Sequence, residues 1–224
     1  LSTYSSDIAH ELRTPLSNLM TQTHVALSQP RDGATYRDVL ASNAEELERL
    51  SRTVADMLFL AQAEHGELLP TRQPVALAGE VRALFEFYEA LAEDRRIALR
   101  LTGDGMALGD ALMLRRAIGN LLSNALRYTP EGGAIEVTIA PRGADVVLRV
   151  RNDGTPIPPA ELPRLFERFY RAEKDRSHAH GEGDGAGLGL AITQAIVQTH
   201  GGQIGAHADG AGNVFEVVLP AARP

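Results

Sequence analysis

Apolar residues recur at helical spacing over the first third of the chain and at strand spacing in its second half. Tyr4, Ile8, Leu12, Leu16, Leu19, Thr23 and Ala26 step by three or four and predict a helix over residues 1–28. His10 lies off that stripe, which turns it to solvent. Pro15 predicts a kink just after the histidine, because proline removes a backbone hydrogen bond and crowds the preceding turn. Gln29-Pro30-Arg31-Asp32-Gly33 reads as a turn. A second helix follows over about 35–65, with Leu40, Leu47, Leu50, Val54, Met57, Leu58 and Ala61 as its apolar stripe. The two form an antiparallel hairpin, which cannot by itself bury both stripes well. A dimeric four-helix bundle would bury them; the alternative is a hairpin packed on its own downstream domain.

Gly66 to Pro74 is a break rich in glycine and proline, and the pattern changes after it. Val75 to Leu77 reads as a short strand, 78–94 as a helix and 97–102 as a strand. Asp110 is a good N-cap for a helix running to about Tyr128. Ala134 to Ala140 and Asp145 to Arg151 alternate as strands around a hairpin turn at Pro141-Arg142-Gly143-Ala144. Residues 159–170 read as a short helix, 172–186 as a polar, glycine-rich mobile loop, and 187–200 as a helix. Strands at 203–208 and 213–219 close the chain around Asp209-Gly210-Ala211-Gly212. Mostly antiparallel strands with three helices predict an α+β sandwich with the helices on one face of the sheet.

Composition narrows the function classes. The 224 residues suit one large domain or two smaller ones, and 44% apolar residues suffice for a core. There is no cysteine, so no disulfide framework and no thiolate chemistry. A net charge of -7 argues against general nucleic-acid binding. No apolar run approaches the ~18–20 residues of a membrane span, and no signal peptide is visible. The chain starts at Leu1 with a helical pattern already running by Tyr4, so it reads as a soluble piece of a longer protein.

Candidate chemistry begins at Ser6-Asp7-Ile8-Ala9-His10-Glu11-Leu12-Arg13-Thr14-Pro15-Leu16. His10 and Thr14 are four residues apart, one turn on the same helix face, with Glu11 beside the histidine. A neutral imidazole can attack phosphorus, a carboxylate can hold its other ring nitrogen, and a hydroxyl can orient water. Such a histidine needs a phosphoryl donor, and four later segments together make a nucleotide site. In Asn120-Leu121-Leu122-Ser123-Asn124-Ala125-Leu126-Arg127-Tyr128, the residues Asn120, Asn124 and Arg127 share a face. An amide oxygen is a hard ligand suited to Mg²⁺, Arg127 can pair with phosphate, and Tyr128 can lie against a base. In Asn152-Asp153-Gly154-Thr155-Pro156-Ile157-Pro158, a carboxylate at a strand end can accept from an exocyclic amine such as adenine N6. Phe166-Glu167-Arg168-Phe169-Tyr170-Arg171 is an aromatic and arginine cluster. Gly185-Ala186-Gly187-Leu188-Gly189-Leu190 opens a helix, where backbone N–H groups can approach phosphate. Each segment alone is weak evidence; their joint presence in this order is strong. His178 and His180, in the 172–186 loop near Asp175, Glu182 and Asp184, read as solvated loop residues rather than a metal site.

The chain resembles the cytoplasmic core of a sensor histidine kinase of a bacterial two-component system over essentially its whole length. Residues 1–66 resemble the dimerisation and histidine phosphotransfer domain, 67–73 a linker, and 74–224 the catalytic ATP-binding domain of the GHKL ATPase type. The fold class implied is therefore an all-α helical hairpin in a dimeric four-helix bundle, followed by an α+β sandwich. The His10 segment is similar to the H box and Asn120 to Pro130 to the N box. Asp153 and Gly154 are similar to the G1 box, Phe166 to Arg171 to the F box, and Gly185 to Leu190 to the G2 box. Two departures are Pro156 where a second glycine is common and Arg127 where lysine is common. The runs Asn152 to Pro158, Leu162 to Arg171 and Ser17 to Thr23 resemble the heavy-metal (copper/silver) sensor branch.

The resemblance implies ATP and Mg²⁺ as cofactors, with Asn124 on the metal and Asn120, Arg127 and Tyr128 around the nucleotide. It implies that Asp153 and Gly154 recognise adenine, and that Gly185, Gly187, Leu188 and Gly189 lie over the phosphates. It implies autophosphorylation of His10, prepared by Glu11 and assisted by Arg171, and transfer to an aspartate of a response regulator receiver domain. Thr14 would serve phosphatase activity toward that regulator. Partners are a second copy of the chain, through residues 1–66, and the regulator, with no nucleic acid. A membrane enters only through a missing N-terminal region, making this the cytoplasmic portion of a bacterial inner-membrane protein. The competing classes are a GHKL-type ATPase without phosphotransfer and a silent dimeric scaffold.

Overall fold

The computed structural model describes residues 2–170, 187–210 and 212–222; within them, the side chains of 2–11 are not described. The chain divides into two compact units, Leu1–Phe59 and Leu60–Pro224.

The first unit is a helical hairpin of α1 (Ser2–Leu27) and most of α2 (Gly33–Glu64). Helix α1 continues unbroken through Pro15, whose ring is buried. Ser28 Oγ donates to the Val25 carbonyl at 2.9 Å at the end of α1. Asp32 then opens α2 as an N-cap, its Oδ1 accepting from Thr35 N at 2.7 Å. That backbone bond is the main reason the Asp32 carboxyl sits below its ordinary range. Across the hairpin, Asn43 Nδ2 donates to Thr23 Oγ1 at 3.1 Å. Leu19, Ala26 and Met57 are buried, but Leu16, Met20, Leu40, Leu47, Val54 and Leu58 are exposed. Most of the apolar stripe expected on α2 is thus uncovered in a single chain.

The second unit is built on a five-stranded sheet. Its strands are β2 (Ala98–Gly103), β4 (Ala134–Arg142), β5 (Asp145–Asp153), β6 (Gln203–Asp209) and β7 (Gly212–Pro220). They lie in the order β2-β4-β5-β7-β6. All neighbours are antiparallel except β2 and β4, which run parallel. Strand alternation divides the sheet into two chemically distinct faces. One carries Ile135, Val137 and Ile139, then Val146, Leu148 and Val150, then Phe215, Val217 and Leu219, all buried with α4 (Ala111–Tyr128) and α5 (Gly189–Thr199). Helix α3 (Leu77–Asp94) contributes Leu77 and Val81 to the same core. The opposite face carries a charged ladder. Arg100 meets Glu136 at 3.0 Å, and Arg142 and Arg149 meet Glu216 at 3.1 and 2.6 Å. Arg151 meets Asp153 at 2.8 Å and Asp209 at 3.0 Å.

Two sequence expectations differ from the structure. A strand β3 (Met106–Gly109) pairs antiparallel with β1 (Gln73–Ala76) as a separate ribbon. It is four residues long, too short for alternation to announce it. The helix expected over 159–170 is a single 3₁₀ turn, Leu162–Arg164, among turns. Pro158, Pro159 and Pro163 deny that segment the amide hydrogens a longer helix needs. The loop expected at 172–186 lies outside the described residues, as do Arg171 and Gly185.

Candidate functional site

Helix α4 is the site's platform and is fixed at both ends. At its start, Asp110 Oδ1 accepts from Leu112 N at 3.0 Å and Met113 N at 3.1 Å, as the sequence led one to expect. Its Oδ2 accepts from the Thr71 hydroxyl at 2.5 Å. The Thr71 hydroxyl, then the Met113 amide, hold the Asp110 carboxyl below the usual carboxylate range. Asp110 N donates to Nε2 of buried His200 at 2.9 Å, and His200 Nδ1 reaches the Ile196 carbonyl at 2.7 Å. The second contact is a donation, so the imidazole is the neutral tautomer with its proton on Nδ1. At the other end, Arg95 donates to the Leu126 carbonyl at 2.5 Å and the Thr129 carbonyl at 2.7 Å. Those carbonyls would otherwise be left over at the helix C-terminus.

Asn120, Asn124 and Arg127 share one side of this fixed helix, as their spacing implies. Asn120 Nδ2 donates to the Gly189 carbonyl at 3.0 Å and approaches Thr193 Oγ1 at 3.4 Å, tying α4 to the first turn of α5. Among the described residues no side chain caps α5, whose N-cap is Leu188. Its first amides point as a group out of the helix start, the geometry that receives phosphate. Gly187, just ahead, has φ +67°, and a Cβ there would lie 2.9 Å from the Phe169 carbonyl carbon. Phe169 N donates to the Gly187 carbonyl at 3.1 Å. The aromatic cluster and the glycine-rich segment are therefore in direct contact, and only glycine fits at 187. Phe166 and Arg168 of the same cluster also line a cavity of about 680 Å³ with Leu60, Ala191 and Ala195. There Arg168 Nη2 meets Glu64 Oε1 at 2.6 Å.

At the end of α4, the Arg127 guanidinium lies 5.6 Å from the centre of the half-exposed Tyr128 ring. The Tyr128 carbonyl abuts Gly154, where a Cβ would come within 2.7 Å of it. Gly154 also has φ +149°, so this closure of β5 onto α4 needs glycine. The structure thus gathers Asn120, Asn124, Arg127, Tyr128, Gly154, Gly187, Leu188 and Gly189. Asp153 is turned elsewhere. Its Oδ1 accepts from Arg151 Nη1 at 2.8 Å and its Oδ2 from Ala134 N at 2.9 Å, within the charged ladder on the far face. The Arg151 hydrogen bond, then the Ala134 amide, lower its pKa. The buried face at this level is held by Asn152, its neighbour. His10 and Glu11 lie on α1 with side chains outside the described residues, and Thr14 is exposed one turn beyond His10.

Several residues that build the site were not anticipated. Asn213 is buried; its Oδ1 accepts from Ile157 N at 2.8 Å and its Nδ2 donates to the Thr155 carbonyl at 3.0 Å. It holds the loop that carries Pro156 in place of a second glycine. The signal was an amide at an inward position of Asn213-Val214-Phe215-Glu216-Val217, where alternation calls for an apolar residue. Arg95 and His200 gave no local signal, because each acts across a long sequence separation.

Two family descriptions match the chain. The His Kinase A (phospho-acceptor) domain matches residues 1–66. The histidine kinase-, DNA gyrase B- and HSP90-like ATPase matches residues 109–223. The sensor histidine kinase CusS of Escherichia coli K12 is 52% identical over 221 residues, which are 98% of this chain and 45% of that protein. The probable sensor protein PcoS of Escherichia coli is 47% identical over 219 residues, 98% of this chain and 46% of that protein. The chain thus spans less than half the length of these curated relatives. In fold it is similar to the Acinetobacter baumannii histidine kinase AdeS, with a TM-score of 0.77 at 20% identity, over 96% of this chain and 98% of that one.

Proposed function

The chain belongs to the sensor histidine kinases, and from that membership we propose that it phosphorylates its own His10 with ATP and passes the phosphoryl group to an aspartate of a response regulator. The observation that carries this reading is the junction of α4 and α5. There Asn120 fixes the start of α5, with its uncapped amides, against the helix face bearing Asn124 and Arg127. A triphosphate fits that junction, and the histidine that would receive its terminal phosphoryl group stands in the same chain.

Among the described residues, no three His, Cys, Asp or Glu side chains gather to hold a metal ion. The Asn124 carboxamide oxygen is the ligand type suited to Mg²⁺ that arrives on phosphates and keeps several waters. When bound, the ion would supply charge neutralisation on the triphosphate. The chain's own residues do the rest. The first amides of α5 and Arg127 hold the phosphates, and Tyr128 covers the base. Glu11 accepts from Nδ1–H of His10, which leaves the Nε2 lone pair free. The Nε2–phosphorus bond forms as the bond from the γ-phosphorus to the β,γ-bridging oxygen breaks. ADP leaves with that electron pair, and the Nδ1 proton passes to Glu11. Arg171 neutralises charge developing on the transferred group. Positioning and electrostatics dominate such a transfer. The phosphoryl group then moves from Nε2 to the regulator's carboxylate. Thr14 serves the opposite reaction, orienting a water toward the regulator's acyl phosphate.

The phosphotransfer part is assigned to residues 1–66, the linker to 67–73 and the ATP-binding part to 74–224. Two copies associate through the hairpin, whose uncovered apolar stripe supports a four-helix bundle. No helix among the described residues is long and apolar enough to cross a membrane. The chain is read as the cytoplasmic portion of a membrane-anchored sensor. Incubation with γ-labelled ATP tests the central claim. Acid-labile, base-stable label is expected on the natural chain and absent from His10→Gln; undiminished label on that variant overturns it.

A further inference from the structure

We propose that Thr71, in the segment joining the histidine-bearing part to the ATP-binding part, is a positioning residue for the nucleotide site, acting through Asp110 and His200 on the two helices that frame it. The proposal rests on the reading of α4 and α5 as an ATP site.

The first argument is a continuous path of hydrogen bonds. The Thr71 hydroxyl donates to Asp110 Oδ2 at 2.5 Å, and Thr71 N approaches the same oxygen at 3.4 Å. The other oxygen of that carboxylate receives the first amides of α4. Asp110 N donates to Nε2 of His200, and His200 Nδ1 donates to the Ile196 carbonyl in the last turn of α5. Asp110 therefore divides one carboxylate between the linker and α4, while its amide reaches α5. His200 has little freedom to drift. It is 2% exposed, and both ring nitrogens are engaged. A Cβ at Gly109 would lie 2.6 Å from its Cδ2, so β3 ends hard against the ring. Just after Thr71, Gln73 pairs with that same glycine.

The second argument is leverage. Helix α5 runs back along α4, so His200 meets the start of α4 while Asn120 meets the start of α5. Asp110 to Asn120 is about 15 Å of helix and Gly189 to His200 about 16 Å, at ~1.5 Å per residue. The two contacts are rungs of nearly equal spacing. Together they resist both sliding of α5 along α4 and turning about Asn120. With the His200 rung loosened, Asn120 is left to hold the α5 amides against the Asn124 face. The linker lies against the same two helices. Gly66 and Leu68 share a cavity wall with Ala191, Gln194 and Ala195 of α5, and Thr71 grips the cap of α4. A pull on the linker is thus felt at the nucleotide site, and occupancy of the site is felt in the linker by the same amount.

Displacement of a fluorescent nucleotide by ATP tests this on the full chain, with Thr71→Val, Thr71→Ser and His200→Gln. Thr71→Val keeps the shape of the side chain and removes the donor. The bond is exposed to water, so only part of one hydrogen bond's worth reaches the site. Thr71→Val should bind ATP about threefold more weakly than the natural chain, well below its melting temperature, and Thr71→Ser should restore natural affinity. A residue that only adds stability would shift the melt and leave that affinity unchanged. His200→Gln breaks the path downstream, so adding Thr71→Val to it should weaken binding no further. Natural affinity in Thr71→Val, Thr71→Ser as weak as Thr71→Val, or a double variant whose losses add, overturns the proposal. If circular dichroism shows His200→Gln unfolded, Thr71→Val against Thr71→Ser decides. Failure of the natural chain to bind ATP overturns the ATP reading itself, and this proposal with it.

Discussion

Asn120 of α4 donates to the carbonyl oxygen of Gly189, the first residue of α5, at 3.0 Å. The same carbonyl accepts from the buried Thr193 hydroxyl at 2.8 Å. The amide therefore works as a spacer between two helices and sets the distance from the Asn124 face to the α5 amides. Asn120→Ala should lower stability by about 1 kcal/mol, the worth of a part-buried hydrogen bond. It should also raise the KM for ATP several-fold with a smaller change in kcat, because the phosphate platform loosens. Thermal melts and initial rates check this. A variant whose rate falls at saturating ATP while KM stays fixed contradicts the spacer role.

Much of this site was legible in the letters, and the rest was hidden for identifiable reasons. Asp110 announced the start of α4 because a capping carboxylate ahead of an apolar-periodic run has few other readings. Asn120, Asn124 and Arg127 fell on one face by arithmetic alone. The 3₁₀ turn at Leu162–Arg164 was obscured because its apolar spacing mimics a helix that its prolines forbid. The parallel pairing of β2 with β4 depends on where a chain returns after α4, which no local pattern encodes. Asp153 is a different case. Leu148, Arg149, Val150 and Arg151 alternate in and out, so Asn152 falls inward and Asp153 outward. The period was present, but a carboxylate before glycine is a more conspicuous signal than parity.

Asp110 makes stability depend on pH. Donation from Thr71 and from the first-turn amides lowers its folded pKa below the ordinary value. A lowered folded pKa contributes stability that is fully present above the unfolded value and lost as pH falls through the folded one. Asp110→Asn keeps a cap but removes the titration. It should be less stable than the natural chain at about pH 7, and the gap should narrow below about pH 4, where free carboxylates protonate. Urea midpoints at the two pH values measure this. Asp32 and Asp153, also lowered, titrate in both chains and cancel. A gap that is constant with pH contradicts the assignment.

Thr14 lies one turn beyond His10 on α1 and is exposed. If it orients a water for the regulator's acyl phosphate, its hydroxyl is needed in one direction of phosphate traffic only. Thr14→Ala should keep autophosphorylation of His10 within about twofold and slow regulator dephosphorylation by about 10-fold, the scale of one lost orienting bond. Parallel time courses for labelled kinase and labelled regulator separate the two. Equal loss of both activities contradicts the division of labour.

Leu40, Leu47 and Val54 repeat every seven residues along α2 and are 67%, 55% and 41% exposed in one chain. Leu16 and Met20 on α1 are 49% and 60% exposed. A heptad repeat marks a seam that another helix covers. Each such side chain, once buried, is worth about 1.5–3 kcal/mol, so a few of them suffice for a stable association. Leu47→Asp puts a charge at the middle of that seam, where it would be desolvated without a partner. Sedimentation velocity should show the natural chain as a pair and Leu47→Asp as a single chain at micromolar concentration. ATP displacement should be unchanged, since Leu47 lies outside the nucleotide unit. A variant that still sediments as a pair would place the dimer seam elsewhere than on this face of α2.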